Sequence, residues 1–263
     1  MKNLFGFDSK SQHVNNSGFI IRDLDSVGDN KKLEEVMRNN LTARKNASLP
    51  PWLVLIACLF NFAGLILLCI GIPKEDTGFT QTHLILLITG GVLLALGMVV
   101  LAINFVRVKR LNADPYFKQS LEREEKLTNE ALKVPENAEK IDILVIDRHV
   151  KFPVYNMCTM KVFKENGLLC FSDDYEVTGI PLSQVMTAYA VNAKTRFTSL
   201  LEISKEKRAQ YGIKRSVNNS GHFIITSRLV AELQLGGEQY EIVVAGYNAE
   251  AFTKLLEKTV VII

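Results

Sequence analysis

Seven basic side chains between positions 194 and 215 are the densest group of potentially functional residues. Clustered cations bind anionic groups, and each one near an anionic membrane surface can contribute about 1 kcal/mol. Glu202 and Glu206 partly cancel this charge, so a solvated loop is the alternative. One loop with a single tyrosine is no nucleic-acid surface, and no nucleic-acid partner is expected. The seven residues are Lys194, Arg196, Lys205, Lys207, Arg208, Lys214 and Arg215.

Cysteine and histidine residues form no recognisable catalytic or metal-binding pattern. The chain has no Cys-x-x-Cys pair, phosphate-binding loop, Gly-x-Ser-x-Gly elbow or His-Glu-x-x-His helix. The adjacent Asp173 and Asp174 fit a solvated turn. We therefore predict no catalytic residue, no metal and no cofactor. The residues concerned are Cys58, Cys69, Cys158 and Cys170, with His13, His83, His149 and His222 on four separate segments.

Two uncharged apolar stretches, 52–72 and 84–106, stand out in a chain with 22% charged residues and a net charge of +3. A helix rises about 1.5 Å per residue and a bilayer core is about 30 Å thick, so each stretch can span it. Residues 73–83 between them are polar and too few to recross a bilayer, which predicts an antiparallel transmembrane hairpin over 51–111.

Basic residues flank both outer ends of this hairpin, whereas the short loop carries only Lys74 beside Glu75 and Asp76. Cationic flanks stay on the cytoplasmic side, so both termini are predicted to be cytoplasmic. The protein is then predicted to be integral to the cytoplasmic membrane. The flanking cations are Arg38, Arg44, Lys45, Arg107, Lys109, Arg110 and Lys118.

Small residues in the second stretch predict close packing of the two spans. Gly91 and Ala95 are four residues apart, the spacing that lets helix backbones approach. Their expected partner is the first span near Gly64, where Asn61 could hydrogen-bond across the hairpin. A homodimer through the same face is the alternative. Two spans without an ionisable residue offer no transport pathway.

The segments beside the hairpin are predicted to be a tail and a spacer. Residues 1–50 are polar, with a short amphipathic helix starting after Asp29 or Asn30 and apolar residues on one face. Beyond the hairpin, Asp114 and Pro115 predict the start of a polar helix over 114–133. The face of the amphipathic helix comprises Leu33, Val36, Met37 and Leu41.

From residue 140 onward the apolar period changes to two, which predicts antiparallel strands. Asn166-Gly167 and Gly236-Gly237 are hairpin turns, and a two-residue turn at the first would place Cys170 opposite Phe163, too far from Cys158 for a disulfide. An amphipathic helix follows, capped by Asn248. The predicted strands are 141–147, 158–164, 168–172, 175–180, 185–191, 200–204, 223–227, 229–235 and 240–246.

Residues 140–263 resemble a bacterial pleckstrin-homology-like (PH-like) domain, through "ENGLLCF", "GIPLSQVMTAYAV" and above all the closing "YEIVVAGYNAEAFTKLLEKT". The upstream "VPENAEKIDILVI" is similar to uncharacterised bacterial membrane proteins of this type. The resemblance implies a small antiparallel barrel or sandwich with a C-terminal capping helix. Residues 205–221 depart from it as an insertion, so no ligand site is transferred.

Together these features predict an α+β membrane protein, a two-helix transmembrane hairpin carrying a PH-like domain. The expected function is non-enzymatic: an anchored module that recruits a cytoplasmic or membrane protein to the cytoplasmic face. The alternative is recognition of anionic lipid headgroups through residues 194–215. Fold does not specify function, so the partner's identity stays open.

Overall fold

A computed structural model describes residues 2–8, 13–16, 19–25, 30–73, 79–147, 155–199, 203–216, 221–257 and 261–262. The chain divides into a helical unit, Lys31–Leu127, and a β unit made of Met1–Asn30 and Thr128–Ile263. The architecture is α+β, with two long apolar helices and a large, mostly antiparallel open sheet. Residues 74–78 of the predicted 73–83 loop and residues 200–202 of the predicted 200–204 strand lie outside the described residues.

The helical unit is built from four consecutive helices. The two apolar stretches form α2 and α3, which pack as an antiparallel hairpin, and both are long and apolar enough to cross a membrane. Pro51 begins α2 at a position where its missing N–H is not needed, and Thr80 caps α3 by accepting from the His83 backbone N–H. The bounds are α1 (Lys31–Ala47), α2 (Pro51–Gly71), α3 (Gln81–Ala113) and α4 (Pro115–Ala131).

Helix α1 is fastened to α4 by contacts of the Asn40 and Arg44 side chains. Asn40 donates to Glu124 Oε2 at 2.5 Å and accepts from the Ser120 hydroxyl at 2.6 Å, and the Arg44 guanidinium lies 5.9 Å from the Phe117 ring centroid. The face predicted for α1 is buried at Leu33 and Val36, but Asn40 continues it and Leu41 is 68% exposed. Asn40 rather than Leu41 therefore continues the buried face of α1, because Glu124 and Ser120 on α4 hydrogen-bond its amide.

The β unit contains fifteen strands over the described residues, with a short helix in the inserted segment and another after the last long strand. The helices are α5 (Lys205–Gln210) and α6 (Ala249–Leu256). The strands are β1 (Lys2–Asn3), β2 (Phe5–Asp8), β3 (His13–Asn16), β4 (Ile20–Asp23), β5 (Glu139–Asp147), β6 (Tyr155–Glu165), β7 (Leu168–Ser172), β8 (Glu176–Pro181), β9 (Val185–Val191), β10 (Thr195–Ser199), β11 (Lys214–Arg215), β12 (His222–Ile225), β13 (Arg228–Leu235), β14 (Glu238–Ala245) and β15 (Val261–Ile262).

The main path through the sheet is β11-β12-β10-β6-β5-β14-β13-β9-β15, and β7, β8 and β4 extend from the far half of β6. The two-residue turns at Asn166-Gly167 and Gly236-Gly237 are confirmed, since their residues have the positive φ angles that such turns require. Cys170 faces Phe163 as predicted. The two turns therefore set the strand register of the hairpins β6–β7 and β13–β14.

The central strands are apolar on both faces because each face supports its own core. One core contains Ile143, Val244 and the α6 residues Phe252 and Leu256. The other lies on the opposite face and includes Leu144, together with Phe197, Ile203, Ile213, Phe223 and Ile225. Ile213 belongs to the segment 205–221 that was predicted to be an insertion, and the other four residues flank that segment. The predicted insertion thus contributes to one core of the β unit.

The N-terminal residues differ most from the sequence prediction. Residues 1–50 were predicted to form a polar tail with one helix, yet β1 and β2 join the sheet, and Leu4 and Phe5 are 0% and 1% exposed. β4 also pairs with β8. These strands are only two to four residues long, too short for an alternating pattern to be recognised, and only the rest of the sheet supplies their partners.

Candidate functional site

The seven basic residues predicted as a binding site do not act as one group. Lys207 lies in α5, and its Nζ contacts Asp142 Oδ2 at 2.7 Å. Arg208 uses its Nε–H to donate to the carbonyl oxygen of Ile203 at 3.2 Å. Lys207 therefore links the inserted segment to β5, whereas Arg208 makes a local contact with a residue five positions earlier. Lys194, Arg196, Lys205, Lys214 and Arg215 are exposed.

Asp142 is the centre of a buried polar cluster that sequence reasoning missed. Its side chain is 4% exposed and accepts from the Thr159 hydroxyl at 2.5 Å, the Tyr247 hydroxyl at 2.6 Å and Lys207. The Tyr211 ring stacks on Tyr247 at 4.3 Å between centroids, which covers the cluster. A charged residue within the apolar run "IDILVID" was the available signal, because a carboxylate there must be paired when buried.

The same cluster changes the role of the predicted cap of α6. Asn248 occupies the N-cap position, but its Oδ1 accepts from the Asp142 backbone N–H at 3.0 Å rather than from its own helix. Burial and the neighbouring Asp142 carboxylate raise the pKa of the Tyr247 hydroxyl. The tyrosine hydroxyl therefore stays protonated and donates its hydrogen bond to Asp142. The contacts of Asp142 therefore join α5, β5 and the residues just before α6.

Two of the exposed cations share one face of the three-stranded end of the sheet. Arg196 on β10 and Lys214 on β11 are both register partners of Ile224 on β12. Strands are about 4.8 Å apart, so the two Cα atoms are separated by about 10 Å across Ile224. Long side chains on either side of one aliphatic residue can reach a common anionic group. We call Arg196, Ile224 and Lys214 the cationic row.

Thiol and metal chemistry receive no support from the described residues. Burial raises the pKa of Cys158 to about 12 and that of Cys170 to about 11, so both thiols are protonated and poorly nucleophilic at neutral pH. The four cysteines are free. Across the described ranges, no group of three His, Cys, Asp or Glu residues is placed to hold a metal ion.

The helices of the hairpin approach most closely at Gly64, Gly90 and Gly97, and not at the predicted Gly91 and Ala95. A Cβ added to Gly64 would lie 2.7 Å from the Gly90 carbonyl oxygen, and one added to Gly97 would lie 2.7 Å from Asn61 Oδ1. By contrast, Gly91 has open space at its Cβ position and Ala95 is exposed. Gly90 and Gly97 are seven residues apart, two helical turns, whereas Gly91 and Ala95 are rotated by about 100° or more from that line.

Asn61 is placed in this interface, but its Oδ1 is buried without a hydrogen-bond partner in the described structure. The predicted hydrogen bond across the hairpin is therefore not formed through that atom. At the base of the hairpin, Asn104 accepts from the Leu49 N–H at 2.7 Å and Arg107 donates to the Asn46 carbonyl oxygen at 2.8 Å. These two α3 side chains fix the α1–α2 connection.

The outer surface of the hairpin is apolar and exposed. Many large side chains of both helices point away from the interface, where Gly64, Gly90 and Gly97 allow the closest approach and Leu67, Leu87 and Leu94 pack beside glycines. A water-soluble helical pair would have the opposite distribution. Examples of the exposed residues are Leu55, Phe62, Ile70, Ile88, Val99 and Phe105.

Comparison with models of protein families, with curated proteins and with solved structures found no match to this chain.

Proposed function

We propose that this chain is a non-enzymatic, membrane-anchored module that recruits a protein partner to the cytoplasmic face of a bacterial membrane. The observation that carries the proposal is the hairpin of α2 and α3, which buries glycines inside and exposes large apolar side chains outside. Lipid tails would cover that surface, since small residues drive helix pairing in membranes where the hydrophobic effect between helices is absent.

The proposed orientation follows from charge. Helix α3 has 33 residues, or about 50 Å, and its last turns beyond a bilayer core of about 30 Å carry Arg107, Lys109 and Arg110. With Arg44 and Lys45 at the end of α1, cations flank both outer ends. Positive flanks are retained in the cytoplasm, so both termini and the β unit would be cytoplasmic.

The β unit is proposed to serve as a PH-like recognition module. Support comes from consecutive antiparallel hairpins followed by α6, whose Phe252 and Leu256 fill the core. The raised pKa values of the cysteines and the fully hydrogen-bonded Asp142 favour a binding role over catalysis, because neither provides a nucleophile or a poised general base.

Cysteine labelling in intact cells tests the anchoring. In a background with the native cysteines replaced, Gln81→Cys should react with a membrane-impermeant maleimide, and Lys118→Cys should react only after the cells are opened. Both positions are exposed in the structure. The chain should also remain in the pellet after alkaline carbonate extraction. Release by carbonate, or labelling of Lys118→Cys from outside, contradicts the proposal.

Binding of anionic lipid headgroups is a second candidate function, and the cationic row favours it. Arg196 and Lys214 lie on one exposed face, whereas Lys207 and Arg208 are held by contacts within the β unit. Each cation near an anionic surface contributes about 1 kcal/mol, so the pair accounts for about a 30-fold difference in affinity.

The test uses the full chain in nanodiscs of zwitterionic lipid, with added vesicles of phosphatidylcholine containing or lacking phosphatidylglycerol. Arg196→Glu with Lys214→Glu should weaken capture of the anionic vesicles by 30-fold or more. Lys205→Glu, an exposed cation outside the row, is the matched control and should have a small effect. Equal losses in the two variants would show that general charge, not the row, attracts the vesicles.

A further inference from the structure

Two carboxylates lie directly opposite each other in the sheet. Glu232 on β13 and Glu241 on β14 are register partners, so their Cβ atoms are about 4.5–5.5 Å apart. Their neighbours two residues along, Val230 and Val243, belong to the core that contains Leu144, which places both carboxylates on that face of the sheet. Both side chains are half-buried. We call Glu232 and Glu241 the carboxylate pair.

The carboxylate pair is held in position by hydroxyl groups rather than by a cation. Thr187 and Tyr189 on β9 donate their hydroxyls to the two oxygens of Glu232, at 3.2 and 3.1 Å. The carboxylate of Glu241 accepts no hydrogen bond and forms no ion pair among the residues that the structure describes. One acid is therefore fixed in orientation, and its neighbour offers both oxygens to an outside donor.

The carboxylate pair carries a repulsion, since like charges directly opposite each other destabilise antiparallel strands. Burial raises the pKa of Glu241 and Glu232 adds to the increase, whereas Arg228 opposes it without cancelling it. Arg228 uses its guanidinium to donate to the Thr195 hydroxyl at 3.2 Å, and within the described ranges it forms no ion pair with either acid. A cation placed against both acids would remove a repulsion that a single chain retains.

The cationic row has the complementary charge. Arg196 and Lys214 are exposed, and neither forms an ion pair with any residue in the described part of the chain. They flank Ile224 at a Cα separation of about 10 Å, and their long side chains can converge on two acids about 5 Å apart. Lys207, by contrast, is bound by Asp142 of its own chain.

The cationic row and the carboxylate pair of one chain cannot meet. Phe223 and Ile225 belong to the core on the carboxylate face, so Ile224 between them lies on the opposite face with the rest of the row. The row is on β11, β12 and β10 at one end of the main path, and the pair is on β14 and β13, beyond β6 and β5. The two surfaces can therefore come together only between two copies of the chain.

We propose that the carboxylate pair is a docking surface for the cationic row of a second copy of this chain. Arg196 and Lys214 of one copy contact Glu232 and Glu241 of the next. Because the two surfaces differ, the contact is head-to-tail and extends into rings or open chains rather than stopping at a symmetric dimer. The inference deepens the proposed recruiting function by naming a second copy as a partner, and it rests on that function because anchoring holds both β units on one side of the membrane.

Charge reversal in the full chain tests the contact. Copies carrying a donor or an acceptor dye at Lys118→Cys, with the native cysteines replaced, are reconstituted in phosphatidylcholine vesicles, whose lipid has no net charge. The unreversed chain should give energy transfer above the level calculated for randomly placed copies at the same density. Arg196→Glu/Lys214→Glu alone and Glu232→Lys/Glu241→Lys alone should each weaken association by about 100-fold or more, because attractive contacts become repulsive.

Mixing the two reversed variants is the decisive measurement. One variant is acidic at both surfaces and the other is cationic at both, so neither associates with itself. An equimolar mixture, with the donor on one variant and the acceptor on the other, should recover energy transfer above the random level. A mixture that stays at the random level, although both variants keep the circular dichroism of the unreversed chain, overturns the proposal. An unreversed chain that never exceeds that level overturns it as well.

A milder variant covers the case in which reversal on β13 and β14 unfolds the β unit. Glu232→Gln/Glu241→Gln keeps the side-chain shapes and removes the repulsion, so it should retain the Tm while weakening association by about tenfold. Unchanged association in this variant refutes the contact. The matched control is Lys194→Glu/Lys205→Glu, which reverses two exposed cations outside the row and should change association less than threefold. A loss equal to that of the row variant would show that net charge alone drives association, against the proposal.

These outcomes are distinguishable from failure of the proposed function. The labelling of Gln81→Cys and Lys118→Cys reports membrane anchoring whether or not copies associate. Substitutions in the carboxylate pair leave Arg196 and Lys214 intact, so they alter self-association without removing the cations assigned to anionic lipid. A chain that is anchored as proposed but gives only random energy transfer refutes the docking surface alone.

Discussion

The segment 203–216, which contains α5, should open more easily when the Asp142 carboxylate is removed than when the Lys207 ammonium is removed. Asp142 is 4% exposed, and its change to Asn leaves Lys207, Tyr247 and Thr159 with a neutral, differently hydrogen-bonded partner. Loss of one member of a buried pair costs about 3–5 kcal/mol. Because Asn retains the shape and one acceptor, we expect Asp142→Asn to lower the free energy of opening by about 2–4 kcal/mol.

Lys207→Met is the milder change. The Lys207 side chain is 35% exposed, so its ammonium is partly solvated, and Asp142 keeps the hydrogen bonds from Tyr247 and Thr159. One hydrogen bond to a charged group is worth about 1.5–3 kcal/mol, reduced here by solvent, which predicts about 1–2 kcal/mol. The double variant should show a coupling of about 1–2 kcal/mol, since the two residues share one interaction.

Hydrogen exchange followed by mass spectrometry on the full chain in detergent measures both changes locally. Peptides covering residues 203–216 should exchange about 5- to 30-fold faster in Lys207→Met and faster still in Asp142→Asn. Peptides from α2 and α3 should be unchanged and serve as the internal control. Additive effects of the two substitutions, or unchanged exchange at 203–216, would refute the role assigned to this cluster.

Three further changes test other features of the structure. Gly90→Val should weaken α2–α3 packing by about 1–3 kcal/mol, seen as a lower Tm in detergent, whereas Gly91→Val, with open space at its Cβ, should not. Gly246→Ala places a Cβ 2.7 Å from the backbone carbon of Ser227 and should lower the β unit's unfolding free energy by about 1–3 kcal/mol, measured by urea titration. Burial and nearby carboxylates raise the Glu176 pKa to about 7, so the folded state binds more protons than the unfolded one between pH 4.5 and 7; stability should fall as pH rises through that window, and Glu176→Gln should flatten the urea midpoint's pH dependence.

The two uses of basic residues show how the fold divides a sequence cluster. Lys207 and Lys214 are seven residues apart and chemically alike, but one neutralises a buried carboxylate while the other lies on an exposed strand. A charge-reversal series across the whole segment would therefore mix loss of folding with loss of binding. Substitutions in the cationic row alone separate the two.

Local patterns were sufficient for the hairpin turns and the apolar helices. Asn166-Gly167 favours positive φ and fixes the register that puts Cys170 opposite Phe163, whatever the rest of the chain does. β14 was predicted to within two residues of its observed bounds, and α6 begins directly after Asn248 as predicted, because the apolar period changes sharply there. Turn chemistry and periodicity act over a few residues, which a sequence displays directly.

Long-range pairing was not predictable in the same way. The strand predicted at 200–204 is preceded by an observed strand at Thr195–Ser199, whose partners are β12 and the beginning of β6. Arg196 and Thr198 look like loop residues until both partners are known. The shift from Gly91 to Gly90 in the hairpin has the same origin, since the rotation of one helix is set by the other.

The sequence by itself determined the composition of the two units: two apolar helices of spanning length, cations at their outer ends and a run of antiparallel hairpins closed by a helix. Only the tertiary structure decided that residues 2–8 belong to the sheet, that Lys207 forms an ion pair with Asp142, and that Arg196 and Lys214 share a face of the sheet. The physical reason is range. Helix length and turn conformation depend on neighbouring residues, whereas the partner of a short strand or a buried charge is chosen by what the folded chain brings within a few ångströms.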